Sequence, residues 1–535
     1  METSRPRQPP STVGDRLEGA SRARILSIIA TVALFSEIAP MQYTMVFAAI
    51  PQIAPSFPDV GANISWIIIV FLLVGGALTP IMGKMSDLWG KKRLLLVSGA
   101  AFAAGTLICA LARSWPLFLV GRGVEALGLA AQTVAFGLFR DILPRRYVPV
   151  GIGMIAAGSG IGFVGGPLLA GWLLEEHSWR ALFWLLLIFV GVTLPLLVLL
   201  VPESKLRVHE TLDVAGATLL AAGVGFVLVY LSNGATWGWG RITCLAYLIG
   251  GLLLLIAFLF VERTTPHPLV DLRLLQDRKV FQPLLIGLFG SIAAGILVYA
   301  VPYMMQSPTT KELTATITEQ VRQTVPEDTP PTLIQQIRIQ LIGDADYALG
   351  MTLLEYATHS AVIFGGFTVL AGALTGMWSR RIGLRLPLIA GLVSLTVAAA
   401  LFSTFTNAWW QYSILSVALG VGLGALLAAP PNLVVEAVPE TKQGSSAGML
   451  SVFITLGASL GTAVFAAFQA ANPLKFSVSM PGTTTNPIRK IPQAFDASAY
   501  HYGMVTASVA AGIGLIIAII MHQGRTPTTG GADSY

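Results

Sequence analysis

The stretch Gly83-Lys84-Met85-Ser86-Asp87-Leu88-Trp89-Gly90-Lys91-Lys92-Arg93 lies between two long apolar segments, residues 63–82 and 94–112. Each segment is long enough to cross a membrane as a helix, since the hydrocarbon core requires about 20 apolar residues. The stretch is therefore predicted to be a tight loop at the membrane surface.

The glycines and charges of this loop predict its shape and its side of the membrane. Gly83 and Gly90 permit close backbone approach and turn geometry that a side chain would block. Asp87 is the only acid of the stretch. Three consecutive cations close it, Lys91, Lys92 and Arg93. Because cytoplasmic loops carry an excess of Lys and Arg, this end is expected in the cytoplasm.

The composition predicts a membrane protein along the whole chain. Of 535 residues, 54% are hydrophobic and only 11% are charged, and the mean hydropathy is +0.72. A soluble domain carries about 25% charged residues. A single soluble domain is therefore excluded.

Several functional classes are also excluded. Cys109 and Cys244 both lie in apolar segments, so no disulfide framework or thiolate metal site is expected, and no metal or cofactor is predicted. The net charge of +6 comes from cations scattered over many loops, which argues against nucleic-acid binding. No HExxH, Walker loop or nucleophile elbow stands in a suitable context, so we do not expect an enzyme.

Fourteen apolar segments are predicted to span the membrane, which gives an all-α polytopic fold. They are residues 25–50, 63–82, 94–112, 116–138, 148–174, 181–201, 212–232, 242–261, 280–305, 350–378, 386–406, 409–432, 444–470 and 502–521. With the N-terminus inside, most of the 33 Lys and Arg residues fall on the cytoplasmic side.

A second loop repeats the pattern of the first. Gly376 and Gly383 have the same spacing as Gly83 and Gly90, and Arg380 stands where Asp87 would be. This weak repeat indicates two related halves, a plan common among transporters.

The fifth segment has a glycine pattern of its own. Its spacing is G-x8-G-x3-G-P, formed by Gly153, Gly162, Gly166 and Pro167. One helical face carries a stripe of small residues, Gly151, Gly158, Gly162, Gly166 and Ala170. The stripe can lie against another backbone, and Pro167 favours a bend. The stripe either has a role in the direction of transport or is a general packing feature without such a role.

These patterns resemble one known family. The loop at 83–93 resembles the signature between the second and third helices of the major facilitator superfamily, and the glycine-proline pattern resembles the antiporter signature of its fifth helix. Further matches are Ala49–Ile53, Ser178–Arg180, Asp213–Gly216 and Gly444–Gly461. With fourteen segments, the chain is similar to the 14-helix drug:proton antiporters.

The resemblance implies two six-helix bundles around a central cavity, joined by two linker helices. The implied division is 1–24 (disordered cytoplasmic tail), 25–201 (N-terminal bundle), 212–261 (linker helices), 280–521 (C-terminal bundle, with outer loops 306–349 and 471–501) and 522–535 (cytoplasmic tail).

Ionisable residues inside apolar segments are the strongest candidates for coupling, because such groups are costly at bilayer depth. Glu37 lies about 12 residues into its segment, roughly 18 Å deep at 1.5 Å per residue. The resemblance implies an acid just before the threonine of the first helix, but that position holds Gln42, which is a candidate for the substrate cavity. Glu37 is predicted to respond to protons or cations, and the alternative is a structural acid paired with a neighbouring helix.

The fourth segment carries Arg122, which matches an arginine that the superfamily associates with proton transfer. Where the family usually has Gln-Gly, this chain has Glu125-Ala126. Arg122 and Glu125 share one helix face. They are either a structural ion pair or a coupled proton switch.

Glu355 and His359 share a helix face at the outer end of the tenth segment. As candidates for the substrate cavity they would bind a cation or relay a proton. The alternative places both at the wet membrane interface.

We therefore predict an exporter of small hydrophobic or amphipathic, often cationic, compounds, driven by proton entry and acting as a monomer in the bacterial inner membrane among its lipids. A lipid or glycolipid exporter is the alternative, because residues 475–492 alternate around Pro481-Gly482 and could extend as a hairpin beyond the bilayer. A non-transporting receptor or scaffold is the alternative of another class.

Overall fold

The structure, a computed structural model, describes residues 17–204, 213–266, 268, 270, 272–324, 338–404, 408–438, 443–479 and 488–525. Within these residues fourteen helical segments are long and apolar enough to cross a membrane, as predicted. Spans 1 to 14 are, in order, Arg22–Ala48, Pro58–Trp89, Lys91–Leu111, Trp115–Ile142, Val150–Leu174, Arg180–Leu200, Val214–Trp237, Ile242–Thr264, Arg278–Gln306, Leu353–Ser379, Arg385–Phe402, Trp409–Glu436, Ser446–Ala471 and Ala497–Ile520.

Four spans consist of more than one helix. Span 1 contains the helices Arg22–Ser36 and Ile38–Ala48, and span 2 contains the 3₁₀ helix Pro58–Ser65 and the α-helix Trp66–Trp89. Span 4 contains the helix Trp115–Glu125, the 3₁₀ turn Ala126–Leu129 and the helix Ala130–Ile142. Span 10 contains the helix Leu353–Tyr356, the π turn Ala357–Ala361 and the helix Val362–Ile382. The helices of spans 5 and 13 extend to Val148–Leu174 and Gln443–Ala471. Short helices between spans are Ile50–Ile53, Ala54–Ser56, Arg145–Tyr147 and Leu274–Gln276.

Spans 1–6 and spans 9–14 form two helical bundles, and spans 7 and 8 form a linker pair in which span 7 packs against spans 2 and 13 and span 8 packs on span 7. Small residues allow these close contacts, since helices in lipid associate by packing rather than by the hydrophobic effect. Gly461 lies against the backbone of Ile292, so a side chain there would separate spans 13 and 9. The predicted fold class is confirmed.

The turn between spans 2 and 3 differs from the predicted loop. The helix Trp66–Trp89 runs through Gly83, and only Gly90, with φ of 117°, separates it from the helix Lys91–Leu111. A Cβ at Gly83 would meet no atom within 4 Å, so the predicted role of Gly83 in close approach is wrong. Gly383, with φ of 77°, joins spans 10 and 11 in the same way. The side chain of Arg380 lies outside the described part of the chain.

The two long loops that are predicted to lie outside, 306–349 and 471–501, contain regular secondary structure in their described parts. The first contains the helix Thr310–Thr324 and the strand β1, Arg338–Ile342, and the second contains β2, Pro473–Ser479, and β3, Ile488–Phe495. The strands form one antiparallel sheet in the order β1-β2-β3. The antiparallel pairing expected of the predicted hairpin is thus confirmed, and its Pro481-Gly482 turn lies outside the described residues.

The sheet also contacts the N-terminal bundle. Gln493 Nε2 donates a hydrogen bond of 3.4 Å to the Phe57 carbonyl oxygen, and Tyr347 Oη donates one of 2.8 Å to the Phe495 carbonyl oxygen. Tyr412 Oη of span 12 donates a hydrogen bond of 3.1 Å to the Tyr347 carbonyl oxygen, so the two long loops contact both halves of the chain.

The terminal boundaries shift slightly from those predicted. Span 1 begins at Arg22, where Ser21 Oγ accepts a hydrogen bond from the Arg24 amide, rather than at residue 25. Residues 1–16 of the predicted N-terminal tail and 526–535 of the C-terminal tail lie outside the described residues.

Candidate functional site

Span 1 is interrupted at Glu37. The helix Arg22–Ser36 ends there and Ile38–Ala48 begins, with Glu37 at φ −75° and ψ −7°. Pro40 explains the break, because its ring removes one amide donor and crowds the carbonyl four residues earlier, that of Ser36. The Glu37 amide instead bonds the Leu34 carbonyl oxygen at 3.2 Å. Glu37 thus lies at an irregular point in the helix.

The Glu37 carboxylate is buried against the glycine stripe of span 5. The residue is only 6% exposed, and neither carboxylate oxygen has a hydrogen-bond partner among the described residues. A Cβ at Gly158 would overlap the carboxylate, and one at Gly162 would lie 3.4 Å from Glu37 Oε2. The glycines therefore make room for the acid, and the alternative of a structurally paired Glu37 finds no partner among the described residues.

The stripe continues its contact with span 1 toward the C-terminal end of that span. A Cβ at Gly166 would overlap Thr44 Oγ1, and that hydroxyl donates a 3.0 Å hydrogen bond to the Gly162 carbonyl oxygen. Gly153 behaves differently, because it is exposed and a Cβ there would meet nothing within 4 Å. The helix continues through Pro167 to Leu174. The packing surface is thus the Gly158, Gly162 and Gly166 face, and Gly153 is not part of it.

This difference allows a matched test within one motif. Gly162→Leu is expected to reduce transport by roughly tenfold or more, because overpacking a close contact typically costs about 1–3 kcal/mol. Gly153→Leu should transport at the parental rate. Both variants are compared at equal membrane expression. Equal impairment of the two would contradict the assigned contact face.

Arg122 lies fully buried in span 4. Its Nη1 forms a 2.7 Å ion pair with Glu125 Oε2, and its Nε donates a 3.0 Å hydrogen bond to the Ile67 carbonyl oxygen of span 2. The guanidinium carbon lies 4.6 Å from the centre of the Phe71 ring. Both charged side chains are 0% exposed. The predicted contact between Arg122 and Glu125 is therefore present, in a site without water access.

Glu125, in span 4, is bonded to spans 1 and 3. Its Oε1 accepts a 2.8 Å hydrogen bond from Thr106 Oγ1 of span 3, and its Oε2 also accepts one of 3.3 Å from Gln42 Nε2 of span 1. The helix of span 4 ends at Glu125 and continues as a 3₁₀ turn. Gln42 therefore belongs to the Arg122 cluster rather than to an isolated cavity wall. Thr106 was missed, because no local pattern connects it to residue 125.

The 83–93 motif forms a charge cluster. Lys91 Nζ lies 2.7 Å from Asp87 Oδ1 and 2.8 Å from Asp141 Oδ2 of span 4. Glu203 accepts hydrogen bonds from the amides of Lys92 and Arg93 at 2.9 and 3.0 Å, which caps the start of span 3. Asp141 and Glu203 were not predicted, since each lies just beyond a predicted apolar segment, 116–138 and 181–201, and neither belongs to a recognised motif.

Lys91→Gln is expected to lower the free energy of unfolding by about 1–3 kcal/mol, since Asp87 and Asp141 would lose their shared cation. The matched control is Arg93→Gln, because the Arg93 side chain is exposed. Thermal unfolding of both purified variants measures the effect. Indistinguishable midpoints would contradict a stabilising role for the pair.

Glu355 and His359 do not meet through their side chains. The Glu355 carboxylate accepts a 2.8 Å hydrogen bond from the Thr352 amide in a capping box, and Glu355 is exposed. His359 Nδ1 lies 2.8 Å from the Glu355 carbonyl oxygen, and its ring contacts Trp409 edge-on at 4.8 Å. These contacts favour the interface alternative for both residues.

Two packed helical bundles with buried ionisable side chains are the architecture of a secondary transporter. Residues 32–314 and 283–478 match the Major Facilitator Superfamily, so the chain belongs to that family and is a multi-pass membrane transporter.

Its relatives include uncharacterised and drug-resistance proteins. The chain is 27% identical to the uncharacterised MFS-type transporter YfiU of Bacillus subtilis, over 86% of this chain and 84% of that protein. It is 26% identical to the multidrug resistance protein Stp of Mycobacterium tuberculosis, over 84% and 77%. A solved D-xylose-proton symporter superimposes with a TM-score of 0.57 at 12% identity, over 95% and 99%, and shows the fold alone.

Proposed function

We propose that this transporter exports hydrophobic or amphipathic, often cationic, compounds in exchange for protons, as a monomer in the bacterial inner membrane. The observation that carries the proposal is the buried Glu37 carboxylate, which has no hydrogen-bond partner among the described residues and lies on the glycine face of span 5. The relative Stp is named a multidrug resistance protein, which supports a drug as the substrate.

Proton binding at Glu37 offers a physical link to conformation. An ionised carboxylate without donors is strongly disfavoured in an apolar site, whereas the protonated group is tolerated. When protonated, Glu37 permits the close contact with Gly158 and Gly162. When ionised, it favours separation of spans 1 and 5 so that water reaches the carboxylate. The proton thereby changes the relative free energy of two packings.

The Arg122 cluster supplies the second element of the proposal. Arg122 is bonded to span 2 and Glu125 to spans 1 and 3, so a change in either charge would affect three neighbouring helices. We assign this cluster to coupling rather than to direct substrate contact.

Alternating access requires that the two halves separate at the outer side. Gln306 of span 9 donates a 2.9 Å hydrogen bond to the Ala48 carbonyl oxygen of span 1 and accepts one of 2.6 Å from Gln52. These contacts hold the outer ends together in this conformation and must break for outward release.

A lipid or glycolipid substrate is the second candidate. The observation in its favour is the three-stranded sheet formed by the two long loops, which covers the ends of the spans on that side. Such a cover would shield an acyl chain from water during release.

Transport in proteoliposomes distinguishes these substrates. Ethidium and a fluorescent glycolipid are offered separately under an imposed pH gradient. We expect gradient-dependent accumulation of ethidium. Transport of the glycolipid without that of ethidium would replace the drug proposal by the lipid one, and movement of neither would favour a non-transporting role.

A further inference from the structure

The linker pair is firmly attached to the N-terminal bundle near its outer end. Asn63 Nδ2 donates a 2.9 Å hydrogen bond to Asn233 Oδ1, and Trp66 Nε1 donates one of 3.1 Å to Ser232 Oγ. The opposite faces of spans 7 and 8 carry exposed apolar side chains, including Ile249. That face is therefore directed toward lipid.

A groove of about 720 Å³ opens between spans 7 and 8 on this side. It is lined by Phe226, Thr236, Trp237, Arg241, Thr243, Ala246 and Tyr247. Trp237 and Arg241 lie at the outer end, whereas Phe226 lies eleven residues before Trp237, roughly 16 Å deeper at 1.5 Å per residue. The groove thus changes from charged and polar near the membrane surface to apolar within the bilayer.

The turn above the groove has a defined shape. Gly238 has φ of 92°, and Trp239 folds back so that a Cβ at Gly234 would overlap its ring. Trp239 also contacts Tyr230 edge-on at 5.3 Å. Inside the groove, the Tyr247 ring lies 5.7 Å from Trp237 and 5.4 Å from Phe226. The aromatic walls are therefore formed by contacts within the linker pair itself.

Arg241 is the only cation in the short turn 238–241 and is exposed. It forms no ion pair with any residue that the structure describes. It also precedes span 8, whose first turn contains no acid and has no side-chain cap. A cation at a helix N-terminus is unfavourable, so an anion at the groove mouth would be stabilised by both the guanidinium and the helix.

We propose that this groove binds one anionic phospholipid of the outer leaflet. The phosphate contacts Arg241 and the hydroxyl of Thr243, the glycerol region lies along the wall formed by the Trp237 and Tyr247 rings, and part of one acyl chain follows Phe226 toward the midplane. The graded lining favours a lipid over a free anion, since phosphate alone would leave the aromatic walls uncovered.

Native mass spectrometry of the purified full chain tests the site, with phosphatidylglycerol and phosphatidylcholine titrated separately. We expect a preference for phosphatidylglycerol, weakened roughly fivefold in Arg241→Gln, because one cation near lipid headgroups contributes about that factor. Arg241→Lys should retain most of the preference. Arg113→Gln is the matched control, another exposed arginine of an outer loop, and should bind like the parent.

A second variant tests the apolar part of the groove. Ala246→Trp fills the groove but leaves Arg241 in place, and it should weaken binding of the intact lipid. Equal binding by the parent, Arg241→Gln and Ala246→Trp proteins would overturn the proposal. So would complete competition by inorganic phosphate, which would indicate an anion site without a lipid.

Discussion

Replacing Glu37 with glutamine is expected to reduce pH-gradient-driven transport to the level of protein-free vesicles. Glutamine has nearly the same shape and can occupy the space against Gly158 and Gly162, but it cannot exchange a proton. The two packings of spans 1 and 5 would then lose their dependence on pH. Substrate exchange without a gradient should persist, because it requires movement of the halves but no net proton transfer.

Glu355→Gln is the matched control for this prediction. Glu355 is also an acid of a membrane span, but its carboxylate caps a helix at the outer end, and a glutamine oxygen can accept the same hydrogen bond. The control should transport at the parental rate. Gradient-driven transport by Glu37→Gln at that same rate would contradict the assignment of Glu37.

Features with a local signal could be predicted from the sequence. The fourteen spans follow from the length of their apolar runs, and the contact of Gly162 and Gly166 with span 1 agrees with their helical spacing. Gly83 shows the limit of such reasoning. Its motif predicted a turn, but the helix continues without interruption to Trp89. Gly83 keeps a helical backbone, and the chain turns only at Gly90, which adopts positive φ.

Contacts between distant segments could not be predicted in this way. Gln42, Thr106 and Glu125 come from three spans, and β1 pairs with β2 across more than a hundred residues, Ile339 opposite Val478. Polar residues in a single sequence do not indicate their partners. Glu355 and His359 were paired by helical spacing alone, and a capping interaction with Thr352 decides the position of the carboxylate instead.

The second large effect is expected at the Arg122 and Glu125 pair. Arg122→Met should lower the free energy of unfolding by about 3–5 kcal/mol, since it leaves a buried acid without its cation. The double variant Arg122→Met with Glu125→Gln should recover most of that stability, because the introduced amide is neutral and its oxygen still accepts a hydrogen bond from the Thr106 hydroxyl. Thermal unfolding of the single and double variants measures this coupling.

Transport by the double variant separates the two roles of the pair. If Arg122 and Glu125 act in proton coupling, the stable double variant should still bind ethidium but fail to transport it against a gradient. If they form only a structural ion pair, transport should return together with stability. We expect the first result, and a double variant that pumps at the parental rate would contradict the coupling role.

Substrate-dependent proton movement is the most direct test of proton-coupled export. Proteoliposomes with an acidic lumen contain a pH-sensitive dye, and ethidium is added outside. The account predicts that ethidium accelerates luminal alkalinisation in the parent protein but not in Glu37→Gln. Ethidium transport by the parent without accompanying proton movement would contradict it.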